Sequence, residues 1–224
     1  MTKHFTTSSP WLLASLFVGF LIATTVISAG NFSLGRELLQ KAEKKYGKDA
    51  SNRLLAWEEL IRHDRSTTDR AKLDKVNEFF NSKIRFAGDN EIWGTQDYWA
   101  TPIEFLCKGA GDCEDFAIAK YFTLKAMGIS DAKLRITYVK AIQYNIHHMV
   151  LTYYSTPEAE PLVLDNLVDS INPASKRTDL YPIFSFNGSG LWMAKQRGEG
   201  KMAGSSSRIR LWQDLLQKMS ENSL

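Results

Sequence analysis

The chain has 224 residues, 44% of them hydrophobic, which is enough apolar material for one buried core and argues against intrinsic disorder. Its 28 Lys and Arg against 25 Asp and Glu leave a net charge of +3, and the two signs are interspersed without a basic stripe, which argues against a nucleic-acid partner. The aromatic content of 12%, with six Trp, calls for a ring-rich core or a groove that grips an extended polymer.

In chain order, Lys3 and His4 precede an uncharged apolar run over 11–27 that closes on Ser28 and Ala29. This reads as a secretory signal peptide over 1–29, since the run is short for a spanning helix. The alternative is an uncleaved N-terminal membrane anchor, and both place the rest of the chain outside the cytoplasm. Two cysteines in such an oxidising compartment would ordinarily pair. A bridge between Cys107 and Cys113 would close only a very small loop, so Cys113 is read as a free thiol with a chemical role and Cys107 as a small semi-buried hydrophobe.

Helical periodicity covers 34–62, split by Gly47, and again 68–84, with Leu73, Val76, Phe79 and Phe80 on the buried face. The stretch 85–111 loses periodicity and reads as one long aromatic loop. A helix then opens at Cys113, with Asp112 as N-cap, Glu114 and Asp115 in its first turn and Gly128 as its stop. It is apolar on nearly all sides and belongs inside the domain. Strands follow at 133–140, 147–154 and 161–165, forming an antiparallel sheet, and 181–192 could supply another, ending near Asn187. The Gly- and Ser-rich stretch 195–207 reads as a flexible linker before an amphipathic helix at 208–219. The fold class is α+β, with one domain over 30–194 and the linker and helix over 195–224.

Cysteine catalysis needs a thiolate, and a helix N-terminus supplies unpaired N–H groups and about half a positive charge to stabilise one. It also needs an imidazole in reach and a carboxylate or amide to orient that imidazole. Cys113, a histidine at 147 or 148 and Asp165 supply these in the order helix, strand, strand. Strand alternation sends His147 and His148 to opposite faces, and alternation alone does not choose between them. Asp112, Glu114 and Asp115 crowd the thiol with like charge, which raises its pKa unless a cation neutralises them. Ca²⁺ suits such oxygens, whereas ordinary helix capping explains the same residues without a metal.

The strings Trp93-Gly94, Asp97-Tyr98-Trp99-Ala100-Thr101-Pro102 and Gly109-x-Gly111-Asp112-Cys113-Glu114-Asp115-Phe116-Ala117 resemble those of the bacterial transglutaminase-like cysteine proteinases, and the resemblance extends over about 38–192. It implies a papain-like/transglutaminase-like fold in which the cysteine helix packs on an antiparallel sheet. It selects His148, followed by Met149 and Val150, as the base and Asp165 as its orienting acid. It further implies a Ca²⁺ site at Asp112, Glu114 and Asp115 and a periplasmic location. The implied substrate is a large outer-membrane-associated adhesin, cut near its N-terminal end to release cells from a biofilm. The implied inhibitory partner is the periplasmic domain of an inner-membrane cyclic di-GMP receptor. Cys107 stands apart from the pattern, so a Cys107–Cys113 disulfide that silences the enzyme until it is reduced is the alternative to the free-thiol reading, and the C-terminal helix is assigned only a packing role. Two other readings use the same residues: a transglutaminase that passes the acyl group to an amine, and an exported calcium-binding docking module without catalysis.

Overall fold

The computed structural model describes residues 32–63, 67–193 and 200–221. The expected signal peptide lies outside them, and among the described residues no helix is long and apolar enough to cross a membrane.

Gly47, at φ +86°, breaks the first amphipathic stretch into α1 (Arg36–Tyr46) and α2 (Lys48–His63). Helix α3 (Asp69–Lys83) starts where Thr68 Oγ1 accepts from the Ala71 N–H, and it buries Leu73, Val76 and Phe80. These helices form one wall of the core.

The stretch read as one long loop is more ordered than that. It contains a short parallel bridge between β1 (Arg85–Phe86) and β2 (Ala110–Gly111), a single turn α4 (Asp89–Ile92) and α5 (Pro102–Lys108). A reciprocal capping box nucleates α5: Thr101 Oγ1 accepts from the Glu104 N–H at 3.2 Å while Glu104 Oε2 accepts from the Thr101 N–H at 2.8 Å. Pro102 opens the helix and Gly109, at φ +65°, ends it. Seven residues are too few to display a helical period, which is why the pattern hides this element.

Helix α6 (Cys113–Ala126) runs through the interior and buries Phe116, Ile118, Tyr121 and Leu124 among others. On one side it meets α3 and α5; on the other it lies across a seven-stranded antiparallel sheet of order β6-β5-β4-β3-β7-β8-β9. The strands are β3 (Leu134–Ala141), β4 (Ile146–Tyr153), β5 (Leu162–Leu164), β6 (Asn172–Pro173), β7 (Leu180–Phe186), β8 (Leu191–Met193) and β9 (Lys201–Gly204). Leu134, Ile136, Met149, Leu151 and Leu164 face the helices, while Val139, Val150 and Val163 form a smaller cluster on the opposite face.

Near the C-terminal end, the strand expected in 181–192 is β7, which stops at Phe186 as expected, and one expectation is corrected. Asn187 Oδ1 accepts from the N–H groups of Ser189 and Gly190 at 2.9 and 3.0 Å, turning the chain from β7 into the further strand β8. The expected linker contains β9, paired with β8, and leads into a 3₁₀ turn over Ser206–Arg208, while residues 195–199 of it lie outside the described residues. Helix α7 (Arg210–Ser220) then inserts Trp212, fully buried, against Phe122 in a stack with ring centroids 5.6 Å apart. Lys218 of α7 also donates to the Trp99 carbonyl at 2.6 Å, tying the helix to the loop that precedes α5.

Candidate active site

The chain enters the site through β2. A Cβ at Gly111 would lie 2.4 Å from Phe105 Cε2 and 2.6 Å from Asp115 Oδ2, so only glycine lets α6 start this close to α5. Cys113 is the first residue of α6, with Asp112 at the N-cap position, although the Asp112 side chain makes no capping bond. The thiol is thus presented at the helix end where N–H groups converge.

Around it the carboxylates sort into two roles. Asp115 is fully buried, and its Oδ1 accepts from the Ala100 N–H at 2.8 Å, so it fastens the loop before α5 to the start of α6. Its Oδ2 is buried without a hydrogen-bond partner, and the convergent acidic cluster beside it does not include it. The cluster consists of Asp112, Glu114 and Asp89, whose oxygens lie within 4.8 Å of one another. Asp89, on the single turn α4, was missed because no spacing rule links it to a motif that begins twenty residues later, at Gly109.

The electrostatics of this cluster are unfavourable as it stands. Burial pushes the Asp112 carboxyl up to about 10, and the charges of Glu114 and Asp115 add to the shift. Burial also raises Asp89 and Asp97, each helped by Glu114. The Cys113 thiol is raised well above its usual value, first by burial, then by the charge of Glu114 and by a hydrogen bond to Glu114 Oε2 at 3.0 Å. The Met149 N–H, bonded to the sulfur, opposes the shift. Asp89 Oδ1 and Asp112 Oδ1 are buried without hydrogen-bond partners. Carboxylate oxygens that converge, lack donors and raise one another's pKa fit a hard divalent cation of the Ca²⁺ type.

On the sheet side, β5 pairs with β4 only opposite Leu151–Tyr153, which leaves the first half of β4 with an open edge. His148 lies on that half at 2% exposure, and Nε2 is 2.7 Å from Asp165 Oδ1. His147, on the other face, is exposed and stacks on Tyr138, with ring centroids 5.3 Å apart. Of the two histidines that alternation left open, it is His148 that bonds Asp165. Asp165 Oδ1 also accepts from the Leu167 N–H at 2.9 Å, and its Oδ2 accepts from Arg177 Nη2 at 2.7 Å. Burial would raise this carboxyl, but the bond and charge of His148, the Leu167 N–H and the Arg177 bond outweigh it and hold it at about 2. The backbone of Asp165 is fixed too, its carbonyl accepting from Asn81 Nδ2 at 2.8 Å and from Lys120 Nζ at 3.1 Å. Lys120 is itself buried, which pulls its ammonium down to about 7. Sequence reasoning singled out neither Lys120 nor Arg177 for the site. A lysine on a helix otherwise apolar all round was the available signal for the first.

Both cysteines are free thiols, which matches the reading of Cys113 as a free thiol. Cys107 is buried in α5, and burial pushes its thiol up to about 11, the state of an inert packing residue.

A nucleophile at a helix N-terminus, an imidazole bonded to an ionised buried carboxylate and an adjoining acidic cluster can carry out acyl transfer at a thiol. Comparison with known proteins agrees. The sequence profile of the bacterial transglutaminase-like cysteine proteinases (BTLCP) matches residues 50–194. Legionella pneumophila LapG is similar at 43% identity over 82% of this chain and 96% of that chain, with a TM-score of 0.71. Its calcium-bound form is similar at 45% identity over 83% and 99%, with a TM-score of 0.70, and its EGTA-treated form aligns with a TM-score of 0.73. A search of the curated proteins finds no match. The chain belongs to the bacterial transglutaminase-like cysteine proteinases.

Proposed function

We propose that this chain is a calcium-dependent periplasmic cysteine endopeptidase that cleaves the N-terminal region of a large outer-membrane-associated adhesin, and that an inner-membrane cyclic di-GMP receptor sequesters it through a periplasmic domain. The observation that carries the catalytic part is the 2.7 Å bond between His148 Nε2 and Asp165 Oδ1, beside a thiol that takes the N–H of the very next residue, Met149. The substrate, the compartment and the receptor are carried by what the motif resemblance in the sequence implies.

Asp165, kept ionised, accepts the Nε2 proton of His148, which leaves Nδ1 as the nitrogen that exchanges a proton with Cys113. The thiolate attacks the scissile carbonyl carbon, forming a C–S bond and an oxyanion, and the backbone N–H of Cys113 is a natural donor to that oxyanion. Collapse expels the amine, which takes its proton from His148. Water, deprotonated by the same imidazole, then hydrolyses the thioester and returns the thiol.

Asp89, Asp112 and Glu114 would hold the calcium, and the bound ion supplies positive charge that offsets the carboxylates opposing ionisation of Cys113. The calcium-bound form of the Legionella relative supports calcium as the ion.

Incubation of the protein with a purified adhesin N-terminal fragment and calcium tests the proposal, read as masses on a gel and by spectrometry. Two new fragments are expected, and addition of the receptor's periplasmic domain is expected to suppress them. A product heavier than the substrate would replace hydrolysis with amine transfer. An intact fragment would remove the adhesin from the account.

A further inference from the structure

We propose that Arg177, clamped by Asp179, is a positioning residue for catalysis: it fixes one oxygen of Asp165 so that the other stays on His148. The inference rests on reading Cys113, His148 and Asp165 as the catalytic set.

Arg177 follows a 3₁₀ turn over Ala174–Lys176 and is only 6% exposed. Its Nη2 donates to Asp165 Oδ2 at 2.7 Å and to Asp179 Oδ2 at 2.8 Å, and its Nε donates to Asp179 Oδ1 at 2.9 Å. One edge of the guanidinium is therefore locked by a fork on Asp179, and the remaining Nη2 proton points at the triad acid. The arrangement is poorly explained by stability alone. Arg177 Nη1 is buried without a hydrogen-bond partner, and buried ion pairs contribute little net stability because desolvation offsets their attraction.

What the contact does supply is orientation. With Oδ2 held by Arg177, rotation of the carboxylate is blocked and Oδ1 remains the acceptor for Nε2–H and the Leu167 N–H. Without Arg177, Oδ2 loses its donor in a buried site, and Asp165 can turn or take up a proton. A protonated or turned Asp165 no longer demands the Nε2–H tautomer, and the nitrogen on the thiol side is then not reliably a base. The other charged groups around Asp165 are Lys120 from α6, which donates to its backbone carbonyl, and Asp169, which reaches the same region through Asn81. Neither makes a hydrogen bond to the carboxylate oxygens, so Arg177 is the cation that orients them.

The test is the rate of Cys113 alkylation by iodoacetamide against pH, in calcium, on the full chain, with peptide masses separating Cys113 from Cys107. Arg177→Gln is expected to lower the rate at neutral pH by about 10- to 100-fold, the loss typical when a group that orients a functional histidine is removed. Arg177→Lys, which keeps the charge but not the fork, is expected to recover part of it, and Asp179→Asn to lose less than Arg177→Gln. Asp165→Asn is the control. If Asp165→Asn falls while a folded Arg177→Gln follows the wild-type profile, the positioning role is overturned. If Asp165→Asn also follows wild type, the triad reading fails instead. Should Arg177→Gln not fold, Asp179→Asn decides: a wild-type profile there overturns the proposal, and a lowered one supports it.

Discussion

Asp165 and Asp112 show two carboxylates of one site driven in opposite directions. Asp165 is held at about 2, below the ordinary 3.8, because His148 and Arg177 pair with it despite its burial. A lowered folded-state value means that its contribution is fully present above about 4 and disappears as pH falls toward about 2. Urea unfolding across that window is expected to show wild type losing about 2 kcal/mol that Asp165→Asn never possessed, an order-of-magnitude figure from the shift. Asp112 is raised from 3.8 to about 10 by burial and by its acidic neighbours, so the cation-free folded state keeps a proton that the unfolded chain releases. Its contribution to stability therefore declines as pH rises from about 4. In EGTA at pH 7, Asp112→Asn is expected to unfold at higher urea than wild type and to lose the response to added calcium. A lower midpoint for the variant in EGTA would contradict this account of the cluster.

At the scale of elements, α7 closes the core with Trp212, which packs on Phe122, Tyr121 and Phe186. Trp212→Ala is expected to cost about 3–5 kcal/mol in urea unfolding, the range for removing a buried indole, and a cost below about 1 kcal/mol would show that α7 is only loosely attached. Gly111→Ala is expected to destabilise by about 1–3 kcal/mol, because its Cβ meets the ring of Phe105. The same scale shows what the sequence makes legible. The long helices and β3 to β5 declare themselves because many residues repeat one period, and α6 because an apolar cylinder has to be internal. Helix α5 was hidden by its length although Thr101, Pro102 and Glu104 spelled its cap. Strands β8 and β9 were hidden because Gly, Ser and charged residues pair as readily at a sheet edge as they form a linker. At the site, Cys113 and its acidic neighbours are local to one motif and therefore readable. Asp89, Lys120 and Arg177 reach it through tertiary structure, and choosing His148 over His147 needed either the family or the fold.

For the whole molecule, the architecture brings three sources together: the helix end with Cys113, the open half of β4 with His148, and the chain beyond β5 with Asp165. The acidic cluster adds α4, which spans the gap between α3 and α5. A ligand bound to the folded state alone stabilises it by about 2.7 kcal/mol at a hundredfold excess over its dissociation constant. Calcium is accordingly expected to raise the melting temperature of wild type, and EGTA to reverse the rise. No calcium-dependent shift would place the cluster outside any role in the folded enzyme. The most direct test of the central claim is one gel of an adhesin N-terminal fragment treated with wild type, with Cys113→Ser, and with wild type in EGTA before and after calcium is restored. Cleavage only by calcium-supplied wild type is the result expected, whereas fragments produced by Cys113→Ser would contradict the assignment of Cys113 as the nucleophile.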